Sequence, residues 1–173
     1  MGFNFTFRTL ADTREVRMLR AFLLTQALGY PDYAAWVERS MPEIESGDKM
    51  VVLAFSEGTL VGDLIYQPHK QFSGIREIKN LRIHPRVRDR HFASFMLRQA
   101  EVESPETFQA LMCDVRPERT RVVSTLRSRG YEPLYDKPVP LYDNDNLDIV
   151  MVKRFQRTPE GLLAPIRDIV GFG

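Results

Sequence analysis

The chain has 173 residues, 43% of them hydrophobic and 27% charged, with a formal net charge of +1. That length supports one domain with a real core, and the composition is that of an ordinary soluble globular protein. A charge so near zero excludes a global field drawing the protein onto nucleic acid or an acidic membrane, so any basic function must come from a local patch.

A single cysteine, Cys113, rules out an internal disulfide and fits a reducing cytoplasm. No long apolar stretch follows a basic start at the N-terminus, so no signal peptide is expected. No run approaches the roughly 20 apolar residues that span a bilayer.

Residues 3–7, Phe-Asn-Phe-Thr-Phe, alternate apolar and polar as a half-buried strand does. Asp12 with Glu15 is a capping-box pattern that predicts a helix start, and Val16, Leu19, Phe22 and Leu23 follow at helical spacing. Gly29-Tyr-Pro31 should end that helix. Asp32 should cap a second one carrying Trp36, Val37, Met41 and Ile44, closed by Gly47. Met50–Phe55 and Leu60–Tyr66 read as a hairpin turning at Glu57-Gly58-Thr59.

After a loop from Pro68 to Gly74, Ile75–Ile83 is the next strand, and a helix is expected from Arg90 to Glu103 with Phe92, Phe95, Met96 and Gln99 inward. Ser104-Pro105 breaks it, and Phe108–Val115 is a further strand. Pro117 should open another helix, with Val122, Val123 and Leu126 inward and Gly130 at its end. Tyr131–Tyr135 and Leu147–Val152 are the last strands, separated by an acidic loop. Leu162, Leu163, Ile166, Ile169 and Val170 suggest a short helix in the tail.

The predicted order is β-α-α-β-β-β-α-β-α-β-β, a mixed sheet covered by helices. A single domain is expected over residues 1–155, with 156–173 as a C-terminal extension. No cluster of His, Cys or carboxylates has metal-ligand spacing, and neither a nucleotide P-loop nor a Gly-x-Gly-x-x-Gly fingerprint occurs.

The densest signal runs from Glu77 to Leu97: a strand, a turn bearing Arg86, Arg88 and Arg90 around Asp89, then the start of an amphipathic helix. Arginines and backbone N–H groups at a helix N-terminus suit a phosphate group. Arg88-Asp-Arg-His91-Phe-Ala93 resembles the Arg/Gln-x-x-Gly-x-Gly/Ala signature of the GNAT superfamily of N-acyltransferases. Ile83-His84-Pro85 before it, Val61-Gly62 on the third strand and Gly130-Tyr131 late in the chain resemble the same family.

That resemblance implies an α/β (α+β) fold: a mixed, mostly antiparallel central sheet of about seven strands flanked by about four helices and splayed between the fourth and fifth strands. It implies acetyl-CoA, or another acyl-CoA, as cosubstrate and no metal. The diphosphate would lie on Arg88, Asp89, Arg90, His91, Phe92, Ala93 and Ser94, and the pantetheine arm along the backbone of Leu81, Arg82 and Ile83. Glu77, eleven residues before Arg88, stands at the spacing of a glutamate that serves several members as general base.

Three positions depart from the pattern. His91 replaces a glycine, and if φ is positive there the conformation costs on the order of 1–2 kcal/mol. Leu126 stands four residues before Gly130, where many members carry the tyrosine that protonates the departing thiolate, and Arg119 replaces a frequent asparagine.

The expected reaction is acyl transfer to a primary amine by direct attack in a ternary complex. The acceptor is expected to be a small molecule, entering past the first two helices (Tyr30, Tyr33, Trp36) and a loop rimmed by Asp136, Asp143, Asp145 and Asp148. No nucleic-acid or membrane partner is expected, a homodimer is compatible with the sequence, and the expected location is the cytoplasm. The alternative is a non-catalytic GNAT-fold module that binds acyl-CoA or a partner. A weaker one, a nucleic-acid module built on the turn arginines, lacks interleaved exposed aromatics.

Overall fold

The computed structural model describes residues 4–25, 32–103, 107–143 and 146–155. The expected end of the first helix at Gly29-Tyr-Pro31, Tyr30, the break at Ser104-Pro105, Asp145 and the tail lie outside those residues, and side chains are not described for 142–146.

In chain order the elements are β1 (Phe5–Thr9), α1 (Thr13–Thr25), α2 (Tyr33–Glu45), β2 (Met50–Ser56), β3 (Thr59–Pro68), β4 (Ile75–Ile83), a 3-10 turn (Pro85–Val87), α3 (Phe92–Val102), β5 (Ala110–Val115), α4 (Thr120–Ser128), β6 (Glu132–Pro133), β7 (Val139–Asp143) and β8 (Asn146–Arg154). The mixed, mostly antiparallel architecture is the one expected, with eight strands rather than seven. The extra strand is β7, which lies in the stretch read as an acidic loop and pairs with β8. Pro140 and the charged residues around it hid a short edge hairpin.

The chain forms two compact units, residues 1–68 with 79–103 and residues 69–78 with 104–173; β4 gives its second half to the first and its first half to the second. The first unit is the antiparallel run β1-β2-β3-β4. On one face α1 and α2 bury Val16, Leu19, Phe22, Leu23, Val37, Met41 and Ile44 against Val51, Leu53, Phe55, Leu60 and Ile65. On α3, Phe92 meets the rings of Phe5 and Phe7 edge-on at centroid distances of 5.0 and 5.1 Å.

Helix α1 begins as the capping pattern predicts. Asp12 Oδ1 accepts the Glu15 N–H at 2.9 Å. The Glu15 carboxylate, however, accepts from the Ala11 N–H and pairs with Arg8, which holds its pKa below the usual carboxylate range against the opposing effect of burial. At α2 the expectation fails in part. Asp32 is the N-cap residue, but it takes φ 54° and its side chain makes no capping bond.

Helix α3 is shorter than expected, because His91 is its cap and Glu103 already has extended backbone. Its buried stripe is Phe92, Met96, Leu97 and Ala100; Gln99 is exposed and Phe95 is 54% exposed, its ring lying on Phe7. Starting the stripe at Phe92 and stepping by four and five, rather than by three, turns Phe95 outward.

The second unit is built on β4-β5-β8-β6. Residues Ile75–Ile78 pair in parallel with Ala110–Cys113, and the register of this pair ends there, which is the expected splay. Ile75, Ala110, Met112, Leu134, Val139, Val150 and Val152 form its core. Helix α4 starts at Thr120 rather than Pro117, and Val122 is 39% exposed while Val123 and Leu126 are buried. Gly130 (φ 84°) ends it as expected, with the Tyr131 N–H donating to the Leu126 carbonyl at 3.0 Å.

Candidate active site

Strand β3 sets the position of β4. A Cβ on Gly62 would stand 3.0 Å from the Arg82 carbonyl oxygen and 3.1 Å from Ile83 Cδ1, so any side chain there would push β4 back by a few tenths of an ångström. Next to it the His84 N–H donates to the Val61 carbonyl at 2.8 Å. The Val61-Gly62 pair singled out in the sequence therefore has a physical reason: it brings two backbones together at the end of β4.

The chain then leaves the sheet. His84 caps the 3-10 turn, its Nδ1 accepting from the Arg86 N–H at 3.2 Å. Val87 is the turn's buried anchor, and Arg88 Nε reaches back to the Ile83 carbonyl at 3.4 Å.

Asp89 and His91 both take left-handed backbone, φ 62° and φ 60°. At His91 this is a conformation that glycine adopts freely, and it is the positive φ at which a histidine carries a cost. Histidine and aspartate visit this region more than most residues, at a cost of order 1–2 kcal/mol. The His91 side chain is exposed and makes no capping bond to α3, while its carbonyl accepts from the Phe95 N–H at 3.1 Å. The amides of Phe92, Ala93 and Ser94 lie in the first turn, where a helix has no internal acceptor for them. Arg86, Arg88 and Arg90 are exposed around this turn.

Leu81, Arg82 and Ile83 are half-buried, as is Glu77. Glu77 stands opposite Met112 and belongs to the second unit, whereas the arginine turn belongs to the first. By strand alternation Glu77 shares a face of β4 with Leu81 and Ile83, and Asn80 and Arg82 occupy the other.

Cys113 is buried, and burial drives its thiol well above the ordinary value, so it sits in the core as a neutral apolar group. Leu126, at the place of the family tyrosine, is buried. The expected acidic rim loses one member. Asp148 is fully enclosed and pairs with Arg116 at 3.4 Å, while Asp136 remains exposed. Tyr33 and Trp36 stack at 5.7 Å within the first unit's core.

Sequence reasoning missed Asp63. It is fully buried on β3, accepts the Asn80 Nδ2 hydrogen at 2.5 Å, and its pKa is pushed up to about 7 by desolvation, against the opposing effects of Asn80 and Arg82. The signal was a lone acid inside Leu60-Val-Gly-Asp-Leu-Ile-Tyr66, a run otherwise reading as core. Among the described residues no three His, Cys, Asp or Glu side chains gather as a metal site, and no helix is long and apolar enough to cross a membrane.

A splayed parallel pair, followed by an arginine turn that hands over to a helix through left-handed backbone, defines an acyltransferase fold. The sequence pattern described as the Acetyltransferase (GNAT) family matches residues 16–131, and the chain belongs to that family. It is an N-acetyltransferase by class.

Solved structures agree on the fold. A GNAT-family protein from Desulfovibrio desulfuricans superposes with a TM-score of 0.74 at 12% identity, covering 87% of this chain and 99% of the other. The ribosomal-protein-S18-alanine N-acetyltransferase of Escherichia coli gives 0.71 at 15%, covering 91% and 97%. A Salmonella typhimurium protein, YncA, solved with its cofactor acetyl-CoA, gives 0.69 at 15%, covering 91% and 98%. No curated protein matches the sequence.

Proposed function

We propose that the protein transfers an acetyl group from acetyl-CoA to the primary amine of a small molecule by direct attack within a ternary complex. The observation that carries this reading is the left-handed His91 immediately before α3, with Arg88 and the first-turn amides beside it. An anion there meets unpaired N–H donors and the positive end of the helix dipole. Charge-assisted hydrogen bonds of roughly 1.5–3 kcal/mol each make a few contacts enough for micromolar affinity.

In this reading the backbone of Leu81, Arg82 and Ile83 takes the pantetheine arm, and Arg88, Asp89, Arg90, His91, Phe92, Ala93 and Ser94 surround the diphosphate. Glu77 accepts the ammonium proton through water, and the freed amine nitrogen attacks the thioester carbonyl carbon. The attached nitrogen gives up its surplus proton to water, the tetrahedral intermediate collapses, the C–S bond breaks and the CoA thiolate leaves. With Leu126 where the family tyrosine stands, bulk water supplies the thiolate's proton.

Thermal shift tests the cofactor assignment. Acetyl-CoA at a hundred times its Kd should add about 2.7 kcal/mol of stability, and at the same concentration Arg88→Glu should cut that gain to about 0.4 kcal/mol. No shift with any acyl-CoA would sink the reading. Loss of thiol release in Glu77→Gln, across an amine panel, tests the base.

Buried Leu126 favours a second reading, a non-catalytic module that binds acyl-CoA. Acetyl-CoA binding without thiol release for any amine would select it.

A further inference from the structure

The first unit buries an acid that nothing in the proposed chemistry uses. Asp63 lies on the α1–α2 face of β3, opposite Leu53 of β2. Its Oδ2 accepts from Asn80, but its Oδ1 is enclosed without a hydrogen-bond partner. Arg82 is the charged group acting on it from β4, and Arg82 Nε is likewise buried without a partner. From α2 the titratable neighbour is Tyr33, whose ring lies 5.6 Å from the Arg82 guanidinium carbon and whose hydroxyl donates to the Leu23 carbonyl. An orphan acceptor on β3 and an orphan donor of opposite charge on the neighbouring β4 thus act on one another. A buried group of this kind is costly, and an apolar residue of similar volume would be cheaper for folding alone.

Its location supplies a reason. Asp63 grips Asn80, Gly62 admits the Arg82 carbonyl, and Val61 accepts from His84. Three consecutive residues of β3 therefore fix the stretch of β4 that would take the thioester arm.

We propose that Asp63 is a positioning residue for acyl-CoA: its carboxylate, held by Asn80 and drawing on Arg82, locks the Asn80–Ile83 backbone in the form that accepts the pantetheine arm. The inference rests on the acyl-CoA reading. It makes cofactor affinity depend on the charge of a side chain that does not touch the cofactor. A pKa raised to about 7 puts that charge change in an accessible window. Protonation removes the attraction for Arg82 and releases the strand; ionisation restores it.

Calorimetric titration of the whole protein with acetyl-CoA at about pH 6 and pH 8.5 tests this. Wild type should bind about tenfold more tightly at the higher pH, a modest coupling. Asp63→Asn keeps the shape but loses the charge. It should match wild type near pH 6 and bind about tenfold more weakly near pH 8.5. The phosphates of the cofactor titrate alike with both proteins and cancel in the comparison. A constant ratio of affinities at the two pH values, or wild-type binding by Asp63→Asn at pH 8.5, would overturn the proposal. If Asp63→Asn does not fold, Arg82→Gln takes its place. It should lose the same pH-dependent gain, and retaining that gain overturns the proposal. Wild type that ignores acetyl-CoA at both pH values removes the acyl-CoA reading itself, and this inference with it. Wild type that binds, with no dependence on Asp63 or Arg82, removes only the inference.

Discussion

Two strand-to-helix junctions of this molecule, β4 into α3 and β5 into α4, are built from similar residues and do different things. Both carry a proline and arginines between strand and helix. Between β5 and α4 no residue is left-handed; Arg119 caps the helix at φ −81°, and Arg116 turns inward to Asp148. Between β4 and α3 the backbone is left-handed twice, and the arginines stay outside. Strain of this kind persists only where surrounding structure over-determines it, and it gathers at sites that bind something. Composition alone does not separate the two junctions. Backbone conformation and the side to which the arginines turn do.

The buried aspartates sharpen the contrast. Asp148 has its arginine at ion-pair distance, whereas Asp63 has an amide and a more loosely engaged arginine. Breaking the first pair should have the largest effect on stability. Arg116→Ala removes the ion-pair partner of a buried carboxylate and should cost about 3–5 kcal/mol in urea denaturation. A cost below about 1 kcal/mol would erase the distinction between the junctions.

Asp63 comes next. Its pKa in the fold lies above its ordinary value of 3.8, at about 7. Between those values the folded protein holds a proton that the unfolded chain has released. Stability is therefore fully present below about pH 4, falls as pH rises, and levels off above about pH 7. Asp63→Asn should remove that slope and leave the variant roughly 2–4 kcal/mol more stable than wild type at pH 8. Parallel stability curves for the two proteins would refute the assignment.

Arg88→Glu should weaken acetyl-CoA binding about 100-fold, because an attractive charge-assisted hydrogen bond gives way to repulsion between like charges. The same reversal at Arg119, in the other junction, should leave affinity within about twofold. Equal losses at both would mean a general electrostatic effect. The smallest effect belongs to His91→Gly. Relief of the left-handed conformation should stabilise the protein by about 1 kcal/mol, less whatever the glycine adds to the unfolded chain's entropy. Destabilisation would show that the His91 side chain is needed for packing.

Much of this was legible because it is local. Apolar spacing announced α1, β2, β3 and the body of α3, and the turn from Ile83 to Ala93 announced itself by its arginines and its resemblance to a known signature. The errors lie where tertiary contacts chose between local options. Phe95 and Val122 satisfied a helical stripe by spacing, but the neighbouring stripe is the buried one in each helix. Asp32 looked like a capping side chain, yet it takes left-handed backbone and its side chain makes no capping bond. Asp148 looked like rim charge until β8 placed it beside Arg116.

The sequence by itself determined the element order apart from β7, the family and the candidate phosphate turn, since each depends on residues near one another along the chain. Only tertiary structure decided the left-handed form of His91, the enclosure of Asp63 and its bond to Asn80, seventeen residues away. Those outcomes depend on which strand lies beside which, and the free energy of burying or pairing a charge has no value until its neighbours are in place.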